Sequence, residues 1–217
     1  SLMRYPILYS FKRCPYAMRA RMALQLAEIK CEIREIRLSN KPEHMLEISP
    51  KGTVPILILE DKIIDESYDI VNWVIEKRNI FNENLRSDQI NLTESLIKKF
   101  DEAFKHHLDR YKYATRYENA DSEFHRSECL KILIDLEAIA SNGKWIFGEN
   151  LNKLDISILP FIRQFRIANP GWFDSLEEIS RIKKILNNYL NSEEFKKIMF
   201  KYDEWQLGSK PVYFPST

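Results

Sequence analysis

The stretch Tyr9-Ser-Phe-Lys-Arg-Cys14-Pro-Tyr-Ala-Met-Arg-Ala-Arg-Met22 places one cysteine directly before a proline. Tyr5 to Tyr9 reads as a short apolar strand. After the proline, Ala17, Ala20, Leu24 and Ala27 recur at helical spacing, with Arg19, Gln25 and Glu28 on other faces. Pro15 then sits at the first helical position, where its missing N–H costs nothing. Cys14 falls at the N-cap, where unpaired N–H groups and the positive end of the helix dipole favour an anion. Lys12 and Arg13 add positive charge beside it. Thiols in such settings titrate below the free value of about 8.5 and act as nucleophiles at neutral pH. Cys31 opens a strand and Cys129 lies on the apolar stripe of a helix, so both read as small buried hydrophobes.

Two further features carry chemistry. Val54-Pro55 precedes the apolar run Ile-Leu-Ile-Leu59. Proline cannot donate to a sheet ladder, so Pro55 starts that strand or marks a special backbone feature such as a cis bond. Glu66-Ser67 stands at the N-terminus of a helix, Tyr68 to Lys77, whose apolar face is Ile70, Val71, Val74 and Ile75. Helix N-termini collect at the carboxyl ends of parallel strands, which brings Cys14 and Glu66-Ser67 toward one another. Glutathione has matching parts. Its γ-glutamyl amine and carboxylate suit Glu66 and Ser67 with the helix N–H groups. Its peptide groups suit the backbone at Val54, and its thiol would face Cys14. Its glycine carboxylate needs a cation, for which Lys41 is the candidate.

The elements that must position these residues follow from periodicity. Cys31 to Leu38 alternates apolar Ile33, Ile36 and Leu38 with charged Glu32, Arg34, Glu35 and Arg37, as a half-exposed strand does. A short helix to about Ile48, a hairpin from Val54-Pro55 through Glu60-Asp61-Lys62 to Ile63-Ile64, and the Tyr68 helix complete the order βαβαββα. Asn79 to Ser87 is polar and aperiodic and marks a domain boundary, giving domains 3–79 and 88–217. Beyond it the period stays helical. Ile97, Phe100, Phe104, Leu108 and Tyr111 form one stripe, and Cys129, Leu130, Leu133, Leu136 and Ala140 another, with a break between Tyr117 and Ser122. Trp145 to Gly148 closes the second long helix, and a third, apolar nearly all round and interrupted by Pro160, begins near Asn152. Asp155 can return a bond to the Asn152 backbone. Helices near Leu176 to Leu190 and Glu193 to Phe200 follow, and Tyr202 to Thr217 is expected to wrap the surface.

The 217 residues are 44% hydrophobic, and 33 basic against 32 acidic residues leave a net charge of +1. That balance argues against nucleic acid or an anionic membrane as partner. No apolar run is long enough to span a bilayer and no signal peptide is recognisable, so a cytoplasmic protein is expected. Three dispersed cysteines make no disulfide framework. Ser1-Leu2 before Met3 reads as a cloning remnant. His106 and His107 point different ways on a helix and His44 and His125 stand apart in sequence, so no metal is expected.

Residues 5–78 resemble the thioredoxin-like half of the glutathione transferase superfamily, and the rest resembles its all-helical half. Cys14-Pro15-Tyr16 resembles the active site of glutaredoxins and the omega class, Val54-Pro55 the cis-proline step, Glu66-Ser67 the γ-glutamyl site, and Lys41-Pro42-Glu43 an omega-class stretch. Gly148 with Asn152-Lys-Leu-Asp155 resembles the family's helix-capping signature, with Asn in place of Ser or Thr. The resemblance implies an enzyme with glutathione as co-substrate and no metal. Ala17 stands where dithiol glutaredoxins have a second cysteine, which leaves a single-cysteine thiol transferase or reductase acting on a mixed disulfide or a glutathione conjugate. One competing reading is a conjugating transferase using Tyr9 or Ser10, and another a non-enzymatic regulatory protein of this fold. Phe11, Tyr16 and Arg163 are candidates for a second-substrate pocket. Relatives are often homodimers, although the two-domain bacterial glutaredoxins are monomers.

Overall fold

The computed structural model describes residues 4–81, 84–118 and 120–215. The Ser1-Leu2 remnant, the domain limits at 3 and 217, and parts of two sequence breaks, residues 82–83 and 119, lie outside the described residues. In chain order the elements begin β1 (Ile7–Ser10), α1 (Pro15–Leu26), β2 (Cys31–Glu35), α2 (Glu43–Ile48), β3 (Ile56–Ile58), β4 (Ile63–Ile64) and α3 (Ser67–Lys77). This is the βαβαββα order read from the sequence. Then come α4 (Ser87–Lys99), a π-helical segment (Phe100–Phe104), α5 (Lys105–Lys112), α6 (Ser122–Ile139), α7 (Lys153–Ala168), α8 (Pro170–Ser175), α9 (Ser180–Asn191), α10 (Glu193–Ile198) and β5 (Tyr213–Phe214).

The chain forms two compact units, Ser1–Ile80 with Asn191–Thr217, and Phe81–Leu190. The division near residue 80 lies at the polar stretch noted in the sequence. The segment 191–217, expected in the helical domain, instead groups with the first unit. It does so because α10 packs on α1 and β5 extends the sheet.

In the first unit the sheet order is β4-β3-β1-β2-β5. Strands β1 and β2 run parallel, with α1 as the crossover that parallel pairing requires, and the other pairings are antiparallel. Two sequence expectations change here. Strand β2 stops at Glu35 and leaves Leu38 exposed. Helix α1 is covered by both α3 and α10, so Arg19 and Arg21 are buried where the pattern put Arg19 on an outer face.

In the second unit Ile97, Phe100, Phe104 and Leu108 are buried along α4, the π segment and α5, while Cys129, Leu133 and Leu136 are buried along α6. Helix α6 ends at Ile139 and not at Gly148. Trp145 to Gly148 form a separate tight turn, the Trp145 N–H donating to Gly148 O at 2.8 Å. Helix α7 is buried nearly all round from Leu154 to Ile162, as its composition predicts, and carries Pro160 inside it. Among the described residues no helix is long and apolar enough to cross a membrane.

Asp155 ties α7 to the preceding turn. It is completely buried and accepts from the N–H groups of Asn152 (2.8 Å) and Ile146 (2.9 Å). Burial pushes its carboxyl from 3.8 up to about 7, against the pull of those N–H groups. A carboxyl raised in the folded chain holds a proton that the unfolded chain has lost, so its contribution to stability falls as pH rises from about 4 to about 7. The slope reaches at most about 1.4 kcal/mol per pH unit. Asp155→Ala, which strands two buried N–H groups, is expected to lose about 2–4 kcal/mol in urea unfolding at neutral pH. Asp155→Asn is expected to flatten the pH dependence across that window, and an unchanged profile would contradict the assignment.

Candidate active site

Cys14 occupies the N-cap of α1 with extended backbone (φ −75°, ψ 121°), and Pro15 begins the helix. The Cys14 N–H donates to Phe11 O (3.0 Å), closing the turn, and the Cys14 carbonyl accepts the first helical bond from Met18 (3.0 Å). The first turn carries no acidic side chain, so nothing there offsets the positive end of the dipole. The thiol is half-buried, with Sγ 3.8 Å from the Val54 carbonyl and against a cluster of Tyr9, Ile36, Met45, Val54 and Ile56. Cys31 and Cys129 are completely buried. Burial pushes the Cys31 thiol up to about 12 and the Cys129 thiol upward as well, so neither ionises near neutral pH.

A buried ion pair holds the loop that presents Cys14. Arg21 of α1 pairs with one carboxylate oxygen of Glu35, and the other oxygen accepts from the Lys12 backbone N–H at 2.7 Å. The same guanidinium donates to Ser10 Oγ (2.8 Å) and to Ile198 O (2.7 Å). Burial works against charge on both partners, drawing Arg21 down and pushing Glu35 up, and their mutual attraction offsets part of this. Neither residue was singled out in the sequence. The available signal was two arginines inside an alanine-rich apolar helix.

The two hydroxyls of the competing chemistry are both enclosed. Tyr9 is completely buried; its oxygen accepts from Arg34 Nη1 (2.8 Å) and lies 2.6 Å from His44 Nδ1. Burial raises its pKa, which is the wrong direction for activating another thiol. Ser10 is also completely buried, its hydroxyl taken by Arg21.

Val54-Pro55 is a cis peptide, the backbone feature that the sequence suggested, and β3 begins just after it. Glu66 is the N-cap of α3 and exposed, while Ser67 is buried and accepts from Arg19 Nη1 at 3.3 Å. Arg19 lies on α1, so this bond brings the N-terminus of α3 beside the helix that Cys14 caps. Lys51, unnoticed in the sequence, pairs with Glu66 and lies 3.6 Å from Asp65. Lys41 is exposed over the Ser49–Gly52 turn, its Nζ 3.5 Å from where a Cβ on Gly52 would stand.

Phe11 packs against the Tyr9–Val54 cluster, and Tyr16 is half-buried with the Arg19 guanidinium 5.4 Å from its ring centre. Arg163 belongs to the other unit, half-buried on α7, where its charge opposes the burial that raises the Tyr189 hydroxyl. His44 and His125, which the sequence leaves isolated, both have ring partners, because strand pairing and helix packing join segments far apart in the chain.

A family model described as "Glutathione S-transferase, N-terminal domain" matches residues 8–83. Over 177 residues the chain is 30% identical to "Probable glutathione S-transferase parA" of Nicotiana tabacum, covering 79% of this chain and 74% of that protein. Over 201 residues it is 22% identical to "Probable glutathione S-transferase DHAR2, chloroplastic" of Oryza sativa subsp. japonica, covering 91% and 70%. Glutathione transferase Omega 3C from Trametes versicolor superposes with a TM-score of 0.75 at 19% identity, over 94% of this chain and 88% of that one. A glutathione transferase family member from Pseudomonas fluorescens pf-5, solved with two glutathione bound, gives 0.76 at 17% identity, over 90% and 92%.

Glu35→Gln leaves Arg21 buried without its counter-charge and is expected to lose about 3–5 kcal/mol in chemical unfolding. The double variant Arg21→Met with Glu35→Met leaves no charge behind and is expected to lose less. A double variant less stable than Glu35→Gln would contradict this account.

Proposed function

The chain belongs to the glutathione S-transferase superfamily, and from that membership we propose that it is a glutathione-dependent thiol transferase acting through Cys14. The observation that carries this reading is the half-buried thiol at the N-cap of α1, 3.8 Å from the Val54 carbonyl, set against two buried and engaged hydroxyls at Tyr9 and Ser10. A thiol at this place is favoured as an anion by the helix end and by Lys12 and Arg13. The omega-class structural neighbour is in keeping with it.

In the proposed reaction the Cys14 thiolate attacks the glutathionyl sulfur of a mixed disulfide. The old S–S bond breaks, a Cys14–glutathione disulfide forms, and the substrate thiolate leaves and takes a proton from solvent. The thiolate of a second glutathione then attacks the glutathionyl sulfur on Cys14. This releases oxidised glutathione, made of the glutathionyl group taken from the substrate and the attacking glutathione, and restores the thiolate, so one free glutathione is consumed for each substrate thiol released. With a conjugate beside a ketone, the first attack falls on the same sulfur and the C–S electron pair passes into the enolate, which solvent protonates.

Glutathione would lie with its γ-glutamyl end at Glu66, Ser67 and the α3 N–H groups, its peptide groups along Val54-Pro55 and its glycine carboxylate toward Lys41. Glu66 is held by Lys51 in an exposed pair, and such pairs are worth about 0–1 kcal/mol. An incoming ammonium displaces Lys51 at little cost. The Arg19 charge behind Ser67 favours a carboxylate there.

After incubation with oxidised glutathione, intact mass spectrometry is expected to show one tripeptide adduct, mapped to Cys14 and absent from Cys14→Ser. Reduction of a mixed disulfide by Cys14→Ala is expected to fall by more than about 1,000-fold, the scale seen when a covalent nucleophile is removed. Turnover that survives that change would overturn the proposal. Glu66→Gln, at an exposed position, is expected to weaken glutathione binding by about ten- to a hundredfold, since a hydrogen bond to a charged group is worth about 1.5–3 kcal/mol. Equal affinity in titration calorimetry would remove Glu66 from the site.

A further inference from the structure

The helical unit contains a cluster of imidazoles that the thiol chemistry does not use. His106 and His107 open α5, and His125 lies on α6, which packs against α5. His107 Nδ1 and His125 Nδ1 are 2.8 Å apart, and one donor nitrogen from each of the three rings falls within 4.8 Å of the others. Ring centres of His106 lie 4.9 Å from His107 and 5.9 Å from His125. The sequence, with His125 eighteen positions beyond His107, gives no sign that the three rings stand together, and helix packing is what brings them within reach of one another. The π-helical segment ends at Phe104, directly before α5, and its extra residue per turn resets the phase at which the His106-His107 pair leaves the helix.

We propose that His106, His107 and His125 form a binding site for a divalent transition-metal ion of the zinc type. A Zn–N bond of about 2.0–2.1 Å in tetrahedral geometry places ligand nitrogens about 3.3 Å apart. The observed spacings, 2.8 Å for the closest pair and no more than 4.8 Å for the set, straddle that value. Small rotations of the rings suffice to reach it. The competing arrangement is a histidine pair sharing one proton. That pairing involves His107 and His125 alone, whereas the His106 ring stands beside both, its centre 4.9 Å and 5.9 Å from theirs. For both Nδ1 atoms to bind metal, the proton shared between them moves to Nε2 of the ring that carries it, and both rings stay neutral. Three nitrogen ligands select late divalent ions over magnesium or calcium, which prefer oxygen. His106 is exposed, so the fourth position opens to solvent and admits water or an outside ligand.

The test uses the full chain without a polyhistidine tag and with Cys14→Ser, so that the reactive thiol cannot take the ion. Titration with Zn²⁺ is expected to show saturable uptake of one ion per chain. His106→Ala, at an exposed position, is expected to weaken it by about tenfold or more without changing the circular dichroism spectrum, as is His125→Asn. With Co²⁺ as probe, visible d–d bands without a thiolate charge-transfer band are expected. No saturable uptake, uptake unchanged in His106→Ala, or a thiolate band would each overturn the proposal. None of these results bears on Cys14 chemistry.

Discussion

The position of the Cys14 sulfur depends on one buried carboxylate. Glu35 gives one oxygen to Arg21 and the other to the Lys12 backbone N–H, and so joins the second strand to the loop that precedes Cys14. Removing two charges from water costs several kcal/mol per ion, so such a pair adds little net stability compared with a well-packed apolar pair. What it supplies here is location. The loop cannot move relative to the sheet without stranding a charge, and the N-cap geometry at Cys14 follows from where that loop ends.

The same region separates the roles of three groups that lie close in sequence. Tyr9 and Ser10 point into the sheet's packing, where Arg34, His44 and Arg21 use their oxygens. Cys14, past the end of the strand, is only half-buried. The Tyr9 ring forms a wall for that sulfur: it packs in the cluster with Met45, Val54 and Ile56, and Trp205 meets it edge-on at 5.9 Å. A buried tyrosine and a half-buried cysteine thus share one apolar cluster.

The local pattern was enough for the order of elements from β1 to α3. Periodicity placed α1, α2 and α3, the Val54-Pro55 step located the start of β3, and proline after cysteine located the N-cap. Glu66 and Ser67 were legible because a helix N-terminus is a local feature. The misses at the ends of β2 and α6 are local, and those around the site are long-range. Glu35 reads in the sequence as one of the charged residues of a half-exposed strand, and only its burial against Arg21 shows otherwise. Lys51 reaches Glu66 across a turn, and His125 meets His107 across two packed helices. The late strand β5, two residues long, has no period to detect.

That strand and helix α10 bring residues 191–217 back to a unit whose other part is complete by residue 80. Arg21 Nη1 waits for the carbonyl of Ile198, 177 positions downstream, and Cys31 and Glu32 of β2 wait for Phe214 and Tyr213. During synthesis on the ribosome, the whole helical unit emerges before the thioredoxin-like sheet can acquire its fifth strand. The part of the chain made first therefore closes last, and a nascent polypeptide halted before α10 would leave Arg21 Nη1 without its carbonyl acceptor and the sheet with an open edge of the kind that chaperones recognise.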